Sequence, residues 1–305
     1  MNKHTLAWLL EGPAWLRYAV EKQLLDKKPP VGPALADQAV QKLVAGLKAT
    51  ESLPALKTGK HSYKGRLYWD LFFLADIGFT VKDLGLEKEA SIIYDLQRPD
   101  GKFVTMKDMK PDFFCIPVIL LTALKRMHYN DGGKLDAFIK LIFDSMRLDG
   151  GWHCARQRAR GGKLEKSESC PMDNQNILML LGQFPEFRTD KRFNGAIDLL
   201  LAHWERRSEP WRPYGFGIGT DFVKLKYPAA TYGILRVLDV LSRFPYAAKN
   251  KQFKEMLGTV RAKARDGKYT PESIVTAYAD FDFGRKKEPS RWLTFLVSRI
   301  EKRIA

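Results

Sequence analysis

The sequence predicts an all-α protein, a closed or curved double layer of about six helix pairs. Three observations predict it. Apolar helical runs begin just after Pro111, Pro171, Pro228 and Pro289, at spacings of 60, 57 and 61 residues. Proline suits the first helical turn, where its missing N–H would lack a partner anyway. More amphipathic runs alternate with these, as a tandem repeat of outer and inner helices requires. Three of the junctions between them carry an Asp-Gly turn with an aromatic beside it, and no alternating strand pattern competes.

Residues 1–10 hold a short apolar patch cut off by Glu11 and Arg17. No small-residue cleavage site follows, so the patch reads as a first helix and not as a signal peptide. Trp15 to Leu25 and Ala34 to Leu47 continue the helical pattern, and Leu67 to Leu74 is an apolar run without a leading proline. Leu86 to Leu96, Lys134 to Met146, Phe193 to Trp204 and Phe253 to Ala264 are amphipathic, each with one apolar face for a neighbour. Three of these four end in Asp100-Gly101-Lys102-Phe103, Asp149-Gly150-Gly151-Trp152 and Asp266-Gly267-Lys268-Tyr269. Glycine there supplies the positive φ that ends a helix, and the aromatic can pack back over the turn. The fourth departs, leading from Trp204 to Glu209-Pro210-Trp211 and Tyr214-Gly215-Phe216-Gly217. Gly215, Gly217 and Gly219 have the spacing of a phosphate loop, but no strand precedes them and the dinucleotide reading is rejected.

With 45% apolar and 12% aromatic residues the 305-residue chain can bury a sizeable core, and the lack of a long linker favours one domain over 1–305. No apolar run reaches the roughly 20 residues that span a bilayer. Three cysteines make no disulfide framework and suit a reducing, cytoplasmic setting. The formal charge of +16 favours anionic partners: phosphates, nucleic acid or an acidic membrane surface. Scattered lysines on an ordinary soluble protein would give the same total.

Gln97-Arg98-Pro99-Asp100-Gly101-Lys102-Phe103 resembles the Gln-x-x-Asp-Gly-x-Trp repeat of the terpene cyclases and the β-subunits of protein prenyltransferases. The turns at Asp149 and Asp266 are shortened versions of it. The resemblance implies an (α/α) toroid, a ring of inner helices inside a ring of outer ones around a central cavity. An anionic or isoprenoid-like ligand in an aromatic-lined cavity, and a zinc-dependent transferase or lyase, are the functions it suggests. The Asp-x-Asp-Asp acid of the cyclases and the Asp-x-Cys zinc motif of the transferases are both missing here, so whether the chain is an enzyme stays open.

Three groups of residues are candidates for chemistry. His153, Cys154 and Cys170, with Asp173 as fourth ligand or base, supply donors that zinc favours. The cysteines could equally pack as small apolar groups or pin the ends of the loop between them, and Cys154 or Cys170 beside His153 or at a helix start could act as a nucleophile. The first turns of the inner helices carry Tyr68, Trp69, Asp70, Asp112, Asp173, Asn174, Tyr232, Arg291 and Trp292. Aromatics with a few carboxylates suit a ligand pocket, and Asp70 with Asp173 could do acid–base work if burial split their pKa values. Ordinary dipole stabilisation and core packing explain the same residue types. The third group is basic: Arg156, Arg158 and Arg160, with Lys163, Lys166, Arg206, Arg207 and Arg212, interleaved with Trp204, Trp211 and Tyr214. It suits phosphate contacts with base stacking, and so a nucleic-acid partner without catalysis is the alternative reading.

Overall fold

The computed structural model describes residues 2–49, 67–103, 115–154, 168–228 and 232–305. The described chain is all-α, and its only extended pairings are isolated bridges. Twelve helices of eight residues or more occur among the described residues, with a few single turns between them. In chain order they are α1 (Lys3–Leu10), α2 (Ala14–Gln23), α3 (Gln38–Lys48), α4 (Leu67–Ile77), α5 (Glu87–Asp95) and α6 (Cys115–Arg126). There follow α7 (Lys134–Asp144), α8 (Pro171–Leu181), α9 (Asn194–Glu205), α10 (Ile234–Leu241), α11 (Lys251–Arg261) and α12 (Arg291–Ile304). Local chemistry marks several starts: Asn2, Asp37 and Ser290 accept hydrogen bonds from N–H groups of the first turns, and Pro171 takes the first position of α8.

The even-numbered helices touch one another in sequence, α2 to α4, α6, α8, α10 and α12, and α12 returns to α2. The odd-numbered ones pack against members of this cycle: α1 on α2 and α12, α3 on α4, α9 on α8, and α11 on α10 and α9. The division follows from the sequence pattern. Every residue of α8 is buried, whereas α11 buries only Phe253, Met256, Leu257 and Val260 along one stripe.

The Asp-Gly turns form as their sequence requires. Gly101, Gly150 and Gly267 have φ of 83°, 82° and 74°, and Phe103, Trp152 and Tyr269 are buried behind them. Two of the turns join the next helix through the same clasp. The Cys170 N–H donates to the Trp152 carbonyl (2.7 Å) while the Trp152 N–H donates to Asn174 Oδ1 (2.8 Å). Likewise the Ser290 N–H donates to the Tyr269 carbonyl (2.8 Å) while the Tyr269 N–H donates to Thr294 Oγ1 (3.1 Å). Cys170 and Ser290 are therefore equivalent helix-entry positions, and so are Asn174 and Thr294. In the Gln97 turn the Gln97 amide donates to the Gly101 and Lys134 carbonyls, tying the turn to the start of α7.

One expected helix start is wrong. Pro228 does not open α10, which begins at Ile234 behind Gly233. Instead Tyr227 is drawn inward, where its hydroxyl donates to Asp76 Oδ2 (2.9 Å) and its ring packs on Phe73, Phe283 and Trp292. A buried aromatic with a satisfied hydroxyl outweighs the local preference of proline for a helix start. Pro289 lies two residues ahead of α12, with Ser290 as the cap, and Pro111 lies outside the described residues.

Aromatic side chains from the connecting segments fill much of the interior. The Phe73 ring lies 4.9–6.5 Å from those of Trp15, Tyr227, Tyr278, Phe281, Phe283 and Trp292, mostly edge-on. Beside them a cavity of about 30 Å³ remains between Trp69, Met179, Tyr227, Arg236, Asp239 and Arg299. That is space for a water or two. No helix among the described residues is long and apolar enough to cross a membrane.

A thiol and carboxylate cluster at the start of α8

The Asp149 turn sets the geometry of the most chemically distinctive site. Gly150 approaches the Gly195 backbone so closely that a Cβ would lie 2.8 Å from its Cα, and at Gly151 a Cβ would meet Asn174 Oδ1 at 2.6 Å. Only glycines allow this turn to seat against α8 and α9. The Asp149 carboxylate then accepts from the Ser169 N–H (3.0 Å) and hydroxyl (2.7 Å), twenty residues further on. With the clasp from Cys170 to Trp152, this staples together the two ends of the segment 155–167. Cys154 and Cys170 are thus neighbours in space although far apart in sequence.

Cys154 Sγ, Cys170 Sγ and an Asp173 carboxylate oxygen all lie within 4.8 Å of one another. Cys170 and Asp173 are buried, Cys154 and His153 half-buried, and both cysteines are present as thiols. Cys170 occupies the N-cap of α8 yet makes no side-chain cap, whereas Ser290 at the equivalent position caps α12 by accepting from the Leu293 N–H (3.1 Å). A thiol therefore stands where a hydroxyl would stabilise the helix better.

Tyr232 and His203 belong to the same neighbourhood. The Tyr232 hydroxyl lies 3.1 Å from His203 Nδ1, and His203 Nε2 lies 3.0 Å from the Phe216 carbonyl oxygen. A carbonyl can only accept, so Nε2 carries the proton and Nδ1 accepts from the tyrosine. Burial depresses the His203 pKa to about 4, which keeps the ring neutral at physiological pH. Burial and the charge of Cys170 raise the Tyr232 hydroxyl far above the ordinary phenol range, so it stays protonated. His203 is the residue that reading the sequence passes over. Its signal was its register: Ile197, Leu200 and His203 recur every three residues on the buried face of α9.

The other candidates are placed as follows. Asp70 is half-buried and accepts from the Tyr278 hydroxyl (2.7 Å); burial pushes its pKa up to about 6, against the pull of that hydrogen bond. Tyr68 and Trp69 are buried against each other, and Arg236 lies over the Trp69 ring at 5.1 Å. Arg236 in turn donates to Asn176 and, with the Gln175 amide oxygen facing it, to Gln175. The polar face of α8 is thus shared between the thiol cluster, at Asp173 and Asn174, and Arg236, at Gln175 and Asn176. Arg291 donates to the Trp8 carbonyl (3.0 Å) and covers the Trp8 ring, while Trp292 is fully buried among Trp15, Phe73, Tyr227 and Phe295. Arg206 and Arg207 lie over the rings of Trp211 and Trp204 at 4.0 and 4.4 Å. Asp112, Arg156, Arg158, Arg160, Lys163 and Lys166 lie outside the described residues.

Fold and site together define an all-α protein with two thiols and a carboxylate gathered at a helix entry. Comparison with models of known protein families finds no match to the chain, and comparison with curated proteins finds none either.

Proposed function

We propose that the closed cycle of even-numbered helices is the inner ring of an (α/α) toroid, and that Cys154, Cys170 and Asp173 hold a zinc ion at its edge, as in a transferase or lyase. The observation carrying the metal reading is the gathering of the three donors within 4.8 Å. Two thiolates on one tetrahedral zinc sit about 3.8 Å apart at the usual zinc–sulfur bond length. Side-chain rotation of less than about an ångström would close the set. Three protein donors leave one tetrahedral position for a ligand, and half-buried His153 is the nearest further donor in sequence. Zinc bound there would supply a Lewis acid able to polarise a substrate oxygen or activate a thiol.

The chain's own residues prepare that position. Asp149 and Asn174 hold the two cysteine-bearing segments in register through the staple and the clasp. Tyr232, fixed as a donor to the neutral His203, holds a proton next to Cys170. Asp70, on α4 and bonded to Tyr278, belongs to a separate place in the fold; with a pKa of about 6 it too can exchange a proton near neutrality. A small anionic ligand reaching half-buried Cys154 is the substrate class this reading favours, given the net charge of +16. Zinc analysis of protein prepared without chelator tests the reading. Close to one zinc per chain, lost in both Cys154→Ser and Cys170→Ser, is expected; no zinc uptake against a weak competing chelator would refute it.

Nucleic-acid binding without catalysis is the alternative, supported by the net charge of +16. Its signature would be affinity for RNA or DNA that falls steeply as salt rises.

A further inference from the structure

A second, independent site lies where the C-terminal turns of several inner helices converge. Asp76 near the end of α4, Arg126 at the end of α6, Gln183 just past α8, Arg243 just past α10, and Arg299 of α12 line an open basin of about 310 Å³. Its charges do not balance. Arg126 pairs with Asp76 at 2.6 Å and, through Nη2, more loosely with Asp239 at 3.9 Å, Arg299 with Asp76 at 3.2 Å and Asp239 at 2.9 Å, and Arg303 with Asp239 at 2.9 Å. Two carboxylates thus serve three guanidiniums before Arg243 is counted, and among the described residues no carboxylate lies within ion-pair distance of Arg243.

Helix C-termini attract cations, but the carbonyls here already have donors. Gln23 donates to the Asp76 and Ile77 carbonyls, Lys22 to the Gly78 carbonyl, and Arg303 to the Asp239 carbonyl. The arginine excess is therefore left over from that role. Arg126 Nη2, Arg243 Nε and Arg299 Nε are buried without a hydrogen-bond partner, and the Arg126 and Arg299 side chains are only 8% and 5% exposed. Burial, with Arg303 and Arg126 nearby, also holds Arg243 well below the usual guanidinium range.

We propose that Arg126, Arg243 and Arg299, with Lys22, Lys125 and Gln183 at the rim, form a binding site for a phosphate group, free or carried on a larger molecule. Guanidinium forks match tetrahedral oxyanions in geometry, and an anion of two negative charges would balance the surplus. The lysines add point charges at the entrance: Lys125 is exposed and lies over the Phe184 ring at 4.4 Å.

Calorimetric titration of the intact protein with inorganic phosphate, at constant ionic strength in chloride, tests this. One saturable site is expected, with affinity reduced at least tenfold in Arg243→Gln and severalfold in Lys125→Gln. The Arg243 side chain makes no hydrogen bond or close ion pair among the described residues, feeling Asp239 only at longer range, and Lys125 is exposed, so both variants should fold, as circular dichroism would check. Lys140→Gln, on the distant helix α7, should bind as the parent does. Tighter binding of glycerol phosphate than of inorganic phosphate would assign the site to an esterified group, and equal or weaker binding to the free ion. Absence of saturable heat with either, or unchanged affinity in Arg243→Gln, would overturn the proposal. Neither result bears on zinc at Cys154 and Cys170.

Discussion

Replacing Asp70 by asparagine should change the pH dependence of stability in a defined direction. The Asp70 carboxyl has its pKa raised from 3.8 to about 6, because burial disfavours its charge more than the Tyr278 hydroxyl favours it. For a carboxyl raised on folding, the stabilising contribution is complete below the unfolded value of 3.8 and is lost as pH rises through 6. At about 1.4 kcal/mol per pH unit, the shift corresponds to about 3 kcal/mol. Asp70 keeps some contact with water, so about 2 kcal/mol is the working figure. Asparagine is neutral at every pH and retains an oxygen for the Tyr278 hydroxyl, so it mimics the protonated acid. Relative to the parent, Asp70→Asn should be near-neutral at pH 3.5 and should gain about 2 kcal/mol by pH 7. Urea unfolding followed by tryptophan fluorescence at half-unit pH steps would measure the difference. A difference that stays constant between pH 3.5 and 7, or that runs the other way, would refute the assigned burial of Asp70.

His203 should show the opposite slope. Its pKa is lowered from 6.5 to about 4, so its contribution is complete above pH 6.5 and is lost as pH falls through 4, and His203→Phe should remove about 3 kcal/mol of that acid sensitivity. The same variant strands the Tyr232 hydroxyl and the Phe216 carbonyl, so at pH 7 it should lose at least about 2 kcal/mol in chemical denaturation. Cys170→Ser should abolish zinc uptake yet stabilise the metal-free protein by about 0.5–1 kcal/mol, because serine can cap α8 as Ser290 caps α12; a loss of stability without metal would contradict this. Gly151→Ala should cost about 1–3 kcal/mol in thermal unfolding and lower zinc occupancy, since its Cβ would displace Asn174. Asp76→Asn should destabilise by about 3 kcal/mol in chemical denaturation, because it removes the nearest carboxylate from buried Arg126 and leaves Asp239 alone to serve Arg126, Arg299 and Arg303.

The features legible in the sequence are those that local chemistry decides. Pro171 opens α8, the Asp-Gly turns adopt left-handed glycine geometry, and the aromatics behind them are buried, because each needs only its neighbours. Cys154, Cys170 and Asp173 were legible as a group for the same reason: the turn and the helix start that hold them are both encoded nearby. The pattern at Pro228 predicts a helix start that does not form there, because the position of Tyr227 is set by Asp76, 151 residues away, and no local pattern carries that information. In sequence each basin arginine looks like an ordinary helix-end cation; their shared surplus exists only once α6, α10 and α12 converge. A charge near the end of an otherwise apolar run, such as Asp76, Arg126 or Asp239, was the one available signal.

The staple from Asp149 to Ser169 has a consequence for how this chain tolerates change. It ties the turn ahead of Cys154 to the residue ahead of Cys170, so the separation of the two cysteines depends on these anchors. Loss of either end of that staple, as in Asp149→Ala or Ser169→Ala, is therefore felt at both sulfurs at once, although neither residue carries one.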